Sequence, residues 1–269
     1  MYRFPMMLTR LSPVHESVVR VSPKWNSSTQ RNMNKRLDLI LNGKGGVGKS
    51  FFAVNFVQYL KDHQIAHVAL DCDNENSTLK RFHPDAEFLD LTDPRALDAM
   101  FRSLEKVDLA LVDCRAASSD LFFDYFTEIN LRATLNALSA AMTVVMPVNH
   151  EMDSIDQVQR VVAKLENGAA YVVLRNEVHD DRFTLYDQSV IRKRLREKLG
   201  AKEIAMSRLQ AWLVEGLNLK GLTITAAAKD GYFHLLDRQR LQTWQRRLYE
   251  QIESAGDLLL PDITSGQNP

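Results

Sequence analysis

Two lysines stand in one glycine-rich stretch, GKGGVGKS, which runs from Gly43 to Ser50. The spacing of Gly43, Gly48, Lys49 and Ser50 is typical of a loop that wraps its backbone N–H groups around a phosphate. In such a loop the lysine at 49 reaches the outer phosphates of a nucleotide, and the serine hydroxyl binds Mg²⁺. One lysine is enough for that chemistry, so Lys44 needs a separate explanation.

Acidic side chains end two of the apolar stretches that follow this loop. Asp71 and Asp73 close the segment AHVALDCD, and Asp113 lies near the end of VDLALVDC. A carboxylate at the end of an apolar strand is the second Mg²⁺ ligand expected beside a phosphate loop. A lone aspartate in that position can also cap a helix. The phosphate loop favours the metal interpretation of Asp113.

The elements that must position these residues alternate between strands and helices. Near-continuous apolar runs predict strands over 37–42, 66–73, 107–114, 142–148, 169–176 and 202–209. Helical patterns fill the intervals, over 50–64, 94–106, 118–138, 152–165, 188–199 and 233–253. This order predicts an α/β fold, a mostly parallel sheet with helices on both faces. Ligands bind such sheets at the carboxyl ends of the strands, so the loop and the acids should converge there.

Residues 33–257 are predicted to form one domain built around this phosphate-binding loop, a P-loop domain. A segment of different composition lies at each end of it. Residues 1–32 are basic and interrupted by prolines. Three interpretations are open: a disordered extension, a start codon assigned too early with translation beginning at Met33, or a mitochondrial transit peptide. Residues 258–269 are predicted to be a flexible tail.

Composition excludes several classes of protein. The formal net charge is zero, which is unlike a strongly basic nucleic-acid binder. No apolar run approaches the length of about 18 residues that a membrane-spanning helix needs. The two cysteines, Cys72 and Cys114, are far apart in sequence and predict neither a disulfide framework nor a metal motif. The expected location is cytoplasmic.

Three motifs carry a resemblance to a known family. KGGVGKS with Lys44 resembles the deviant Walker A loop of the ParA/MinD ATPases, LDCDNENSTLKRF their second acidic motif, and LVDC their Walker B strand. The resemblance covers roughly residues 37–222. Within the family, MPVNHEMDSIDQVQRVVAKL and AMSRLQAWLVEGLNLKGLTITAAA are most similar to the small plasmid ATPases of the StbC/TraL type.

The resemblance implies a role for each residue of the site. Lys44 is the family's signature lysine, which crosses a dimer interface to the phosphates held by the other subunit. Asp73 matches the acid that orients the attacking water, and Asp71 would lie beside the Mg²⁺ shell. Asn176 matches a position that hydrogen-bonds the edge of the base, or it is simply a turn residue at a strand end. Glu75 departs from the family pattern and leaves the hydrolysis rate open.

The predicted site therefore has three groups of residues. The catalytic residues are Lys44, Lys49 and Asp73. The metal ligands are Ser50, Asp71 and Asp113. The nucleotide-binding residues are Gly43, Gly45, Gly46, Val47, Gly48, Lys49, Ser50, Phe51 and Asn176.

The function implied by the resemblance is a slow, Mg²⁺-dependent ATPase that forms an ATP-bridged homodimer. It would act as a nucleotide switch in plasmid mobilisation, conjugal transfer or partition, together with a partner protein. One alternative is a nucleotide-gated binding protein with negligible hydrolysis. Another is an ATP-driven cofactor- or metal-insertion relative, although the chain lacks a CxxC pair. A small-molecule kinase is the most distant alternative.

Two basic segments could bind further ligands, such as DNA or a partner protein. IRKRLREKLGAK, residues 191–202, is interpreted either as a DNA contact or as a solvated helix with local ion pairs. The C-terminal helix combines apolar side chains with arginines and is expected to pack on the domain or to bind a partner. Pro261 and the polar terminus argue against a membrane anchor there.

Overall fold

The structure, a computed structural model, describes residues 34–179 and 181–262. The predicted N-terminal extension and the alternative start at Met33 lie outside the described residues, as do residues 263–269 of the predicted tail. Among the described residues, no helix combines the length and the apolar character needed to cross a membrane.

A seven-stranded, all-parallel sheet forms the centre of the protein. Its strands follow the order β3-β2-β4-β1-β5-β6-β7. They are β1 (Lys35–Ile40), β2 (His67–Asp71), β3 (Glu87–Phe88), β4 (Leu109–Asp113), β5 (Ala140–Val148), β6 (Ala170–Asn176) and β7 (Lys202–Met206). The apolar runs form strands because both faces of the sheet are covered by helices. The predicted fold class is confirmed.

Among the described residues, twelve α-helices connect and cover the strands. They are α1 (Lys49–Asp62), α2 (Thr78–Phe82), α3 (Pro94–Leu97), α4 (Ala99–Ser103), α5 (Ser119–Glu128), α6 (Leu131–Ala137), α7 (Met152–Leu165), α8 (Thr184–Asp187), α9 (Val190–Lys198), α10 (Ala211–Lys220), α11 (Ile224–Ala227) and α12 (Leu235–Ala255). One apolar core lies between the sheet and α4, α5, α7 and α9. The other lies between the sheet and α1, α10, α11 and α12.

The structure divides two of the predicted helices in two, and it contains several short elements that were not predicted. The helix predicted over 94–106 breaks at Asp98, and the one predicted over 118–138 breaks at Asn130. Asn130 adopts a φ of 50°, a left-handed conformation that ends one helix while its side chain caps the next. The helices α2, α8, α10 and α11 and the short strand β3 were not predicted from the sequence.

Packing extends beyond the predicted domain boundary at 257. Leu259 is fully buried in the core on the α12 side, and Pro261 is also buried. The carbonyl of Leu258 accepts hydrogen bonds from Arg36 and Thr143, which lie on β1 and β5. The first residues of the predicted tail, 258–262, therefore lie against the domain.

Candidate nucleotide-binding site

The sequence-predicted residues gather at the carboxyl ends of the strands. The glycine-rich loop joins β1 to α1, Asp71 ends β2, Asp113 ends β4 and Asn176 ends β6. The register pairs Asp71 with Asp113 across adjacent strands, so these two acids lie side by side. The structure confirms the predicted convergence on one edge of the sheet.

Glycine is required at position 48 for two reasons. Its φ is 94°, a left-handed conformation that a residue with a side chain rarely adopts. A Cβ atom at this position would also lie 2.4 Å from Nδ2 of Asn176. Gly48 is the N-cap of α1, so the loop delivers its backbone directly to a helix N-terminus, where anions bind.

The side chain of Lys49 is buried inside the glycine-rich loop. Its Nζ donates hydrogen bonds to the backbone oxygens of Asn42 and Lys44, each at 2.8 Å. Burial lowers the pKa of Lys49, while Cys114 and Asp113 partly offset that effect. The ammonium group is thus held in the concavity of the loop, where a bound phosphate would replace carbonyl oxygens as its partner.

Lys44 lies on the rim and points to a different element. Its Nζ is 3.2 Å from Oδ2 of Asp153 and 3.3 Å from Oε2 of Glu151, at the start of α7. About a third of its side chain is exposed, at 34%. Hydrogen bonds to Asp153 and Glu151 raise the pKa of Lys44, so it is a cation at neutral pH. The two lysines of the loop therefore have separate environments.

Asn42 is a site residue that the sequence analysis missed. Its buried Nδ2 donates to the carbonyls of Pro147 and Ser154, at 2.8 and 3.0 Å, while its Oδ1 accepts from the backbone N–H of Lys44 at 2.9 Å. It thereby joins the loop to the end of β5 and the start of α7. The sequence did carry a signal for Asn42, because an asparagine stands between the apolar run of the first strand and the glycine-rich loop.

Asp113 and Ser50 have the environment of a Mg²⁺ site. Asp113 is buried, and no described residue lies at full hydrogen-bond geometry to its carboxylate oxygens, although the Ser50 hydroxyl is close enough to interact with them. Burial raises the pKa of Asp113 to about 7, and neighbouring Ser50 and Lys49 act in the opposite direction. A buried carboxylate without a partner is costly unless a cation compensates it, so these residues fit the metal. Asp113 and Ser50 would supply its protein ligands, with phosphate oxygens and water completing the shell.

Asp71 and Asp73 stabilise the turn that follows β2 by accepting hydrogen bonds from its backbone. Asp71 accepts hydrogen bonds from the backbone N–H groups of Asp73 and Lys80, at 3.0 and 3.1 Å. Asp73 accepts from the N–H groups of Glu75 and Asn76 and from the Asn76 side chain. Burial raises the pKa of Asp73, but these hydrogen bonds outweigh it and leave the pKa below its usual value. Both acids lie at the predicted carboxyl-end edge of the sheet, and their carboxylate oxygens already accept hydrogen bonds within the turn.

Asn176 contacts the loop directly. Its Nδ2 donates to the carbonyl of Val47 at 2.9 Å, and only 7% of the residue is exposed. The side chain therefore fixes the conformation of the loop just before Gly48. Phe51, on the first turn of α1, packs against Trp244 of α12 with ring centroids 5.5 Å apart.

Cys72 and Cys114, which directly follow Asp71 and Asp113 in the sequence, are buried neighbours. Burial, and after it the neighbouring Cys114 thiol, raises the pKa of the Cys72 thiol well above its usual value. Such thiols are poor nucleophiles because they stay protonated. Within residues 34–179 and 181–262, no cluster of three or more His, Cys, Asp or Glu residues is arranged as a protein-only metal site.

An all-parallel sheet and a glycine-rich loop that encloses a buried lysine at a helix N-terminus together define a P-loop nucleotide-binding protein. The sequence agrees: residues 39–212 match the CobQ/CobB/MinD/ParA nucleotide binding domain, and the chain belongs to that family. This confirms the predicted ParA/MinD-type domain and makes the chain a member of an ATPase family.

One curated relative and several solved structures are similar over most of their length. Protein MobD of Acidithiobacillus ferrooxidans is 22% identical over 226 residues, which cover 82% of this chain and 98% of MobD. MinD of Pyrococcus horikoshii complexed with Mg-ADP is 17% identical, covers 82% of this chain and 97% of its own, and has a TM-score of 0.48. The MinC:MinD complex of Aquifex aeolicus is 17% identical over 80% of this chain and 96% of its own, with a TM-score of 0.47.

Proposed function

We propose that this protein is a Mg²⁺-dependent ATPase that forms an ATP-bridged homodimer and acts as a nucleotide switch in plasmid mobilisation, conjugal transfer or partition. Family membership supports ATP as the nucleotide. The similarity to MobD favours mobilisation among the three processes. The observation that carries the proposal is the separation of the two lysines, with Lys49 inside its own loop and Lys44 on the rim.

Each residue has a defined task in this proposal. Lys49 binds the outer phosphates of the nucleotide in its own subunit, and Lys44 leaves Asp153 and Glu151 to reach the phosphates of the partner subunit. A cation supplied from a second subunit stabilises the charge that develops on the phosphate oxygens during transfer. Bound Mg²⁺, held by Ser50 and Asp113, would neutralise further charge on those phosphates. Asp73 would orient the attacking water.

A second candidate, a nucleotide-gated binding protein with negligible hydrolysis, is favoured by one specific feature. Asp73 uses both carboxylate oxygens to accept hydrogen bonds within its own turn. A carboxylate so engaged is less able to orient a water molecule. ATP would then act as a ligand that assembles the dimer without being consumed at a useful rate.

The experiment that separates these candidates is phosphate release at saturating Mg-ATP over a range of protein concentrations. For a dimeric ATPase, the rate per subunit rises with protein concentration and then levels off. Lys44→Ala abolishes that rise while ATP still binds, whereas Lys49→Ala, the matched control in the same loop, loses ATP binding itself. Tight ATP binding without phosphate release would favour the second candidate. A rate per subunit that is independent of concentration would contradict the dimer.

A further inference from the structure

Large apolar side chains are exposed on the C-terminal part of the domain. Five of them lie between residues 212 and 236, and each is more than half exposed. We name them the C-terminal apolar surface: Trp212, Leu219, Tyr232, Leu235 and Leu236. Exposed apolar side chains that are grouped in this way mark interaction sites more often than isolated ones do.

Packing around Gly216 brings Tyr232 next to α10. Trp212 and Leu219 are two helical turns apart and share the outer face of α10. A Cβ atom on Gly216 would lie 2.9 Å from the ring of Phe233 and 3.3 Å from that of Tyr232, so the small residue lets these two rings lie against the helix. The Nζ of Lys220 is 4.6 Å from the ring centroid of Tyr232, which places a positive charge at the border of the surface.

A basic groove adjoins the surface. It has a volume of about 430 Å³ and lies between the loop 207–210 and α12, with Leu236 on its wall. Three arginines line it, Arg208, Arg240 and Arg247, and no carboxylate does. Arg240 is paired with Asp237 at 2.9 Å, whereas Arg208 and Arg247 form no ion pair with any described residue. The groove is therefore complementary to negative charge.

The neighbouring sheet edge is less suited to binding an added strand. β7 is the last strand of the sheet, and its Ala205 N–H already donates to Oε1 of Gln251 on α12 at 2.9 Å. A partner strand could not use that donor, and strand addition depends on such backbone hydrogen bonds. A helix that lays one apolar face on the surface does not need them.

We infer that the C-terminal apolar surface and its arginine groove bind an acidic amphipathic helix of a partner protein. Apolar side chains of the helix cover Leu235, Leu236 and Tyr232, and its carboxylates pair with Arg208 and Arg247. Nucleic acid would also use the arginines but would leave the apolar side chains uncovered. Such a helix would give the proposed switch a further partner, and its binding surface includes no residue of the glycine-rich loop.

The test uses a fluorescein-labelled synthetic helix of about 20 residues, long enough to be helical, with leucines on one face and glutamates elsewhere. Fluorescence anisotropy on the full-length protein should show saturable binding. Leu236→Ser and Arg247→Glu should each weaken it by about tenfold, as expected for residues central to an interface. Leu185→Ser, which alters an exposed leucine outside this surface, should leave binding unchanged. Thermal unfolding and nucleotide binding of all three variants should match those of the unaltered protein, which shows that they fold.

Two further probes distinguish an amphipathic helix from a ligand that is merely acidic. A peptide with the same charge but serine in place of every leucine should bind at least about tenfold more weakly, because it lacks the apolar face. A short DNA duplex should likewise bind more weakly than the helix. Equal binding of either probe, no binding of the amphipathic peptide, or full binding by Leu236→Ser and Arg247→Glu would overturn the inference. None of these results depends on whether ATP forms a dimer.

Discussion

Lys44 and Lys49 are five residues apart, yet their surroundings are opposite. Lys49 is buried and donates to backbone oxygens of its own loop, whereas Lys44 is partly exposed and faces the carboxylates of Asp153 and Glu151. The sequence motif placed both lysines correctly in one loop. It could not reveal the acids that hold Lys44, because they come from a helix about a hundred residues further along the chain.

Asn176 should be important for the loop even in the absence of nucleotide. Asn176→Ala removes the donor to the buried Val47 carbonyl and should lower the free energy of unfolding by about 1–3 kcal/mol, the cost of an unsatisfied buried group. Denaturant unfolding measures this change. Asn176→Asp is the control that retains the side-chain volume without the amide donor, and it should also be destabilised. Unaltered stability in both variants would show that the Val47 hydrogen bond is unimportant.

Asp113 should make Mg²⁺ binding depend on pH near neutrality. Its raised pKa of about 7 means that the carboxyl is mostly protonated below that pH and ionised above it. Mg²⁺ binds the ionised form, so Mg²⁺ affinity in the presence of ADP should be about tenfold higher near pH 8 than near pH 6. Titration calorimetry at the two pH values measures this ratio. Asp113→Asn should bind Mg²⁺ weakly at both, and an equally steep pH dependence in that variant would assign the effect to another group.

At the scale of elements, long and strongly patterned segments were predictable. The helix predicted over 152–165 is α7, Met152–Leu165, because its apolar residues form a clear stripe. The helix α10 was missed because AWLVEGLNLK carries apolar residues on all sides, with Trp212 and Leu219 exposed. The break at Asn130 was missed because a left-handed asparagine resembles any other helix residue in sequence. In both cases the local structure depends on tertiary packing, which the sequence pattern does not show.

Asp38 in the middle of β1 should make the protein less stable at higher pH. Burial raises its pKa from the usual 3.8 to about 8, with Arg36 acting in the opposite direction. Between these values the folded state holds a proton that the unfolded state has lost, so stability is greatest at low pH within this window. It should fall by up to about 1.4 kcal/mol per pH unit as the pH rises through it.

Urea unfolding of the protein and of Asp38→Asn at several pH values measures this dependence. The variant cannot ionise, so its stability should change less steeply between about pH 5 and pH 8. Both proteins should keep the same dependence of unfolding free energy on urea concentration. Identical pH profiles for the two proteins would show that Asp38 does not titrate in this range.

At the scale of the whole molecule, the ion pairs of Lys44 within its own chain should oppose dimer formation. Lys44 must leave Glu151 and Asp153 before it can reach a second subunit. The double variant Glu151→Gln, Asp153→Asn should therefore need less ATP analogue for half-maximal dimer formation, which analytical ultracentrifugation measures. Asp120→Asn, which removes a surface ion pair with Arg160 elsewhere, is the matched control. A requirement for more analogue would instead show that these acids support the dimer.

Light scattering is the most direct test of whether Lys44 acts across a dimer interface. Molar mass would be measured with ADP and with a non-hydrolysable ATP analogue, for the unaltered protein and for Lys44→Ala. The unaltered protein should be a dimer only with the analogue, and Lys44→Ala should bind the analogue and stay monomeric. A protein that is monomeric in every state, or a Lys44→Ala variant that dimerises normally, would contradict it.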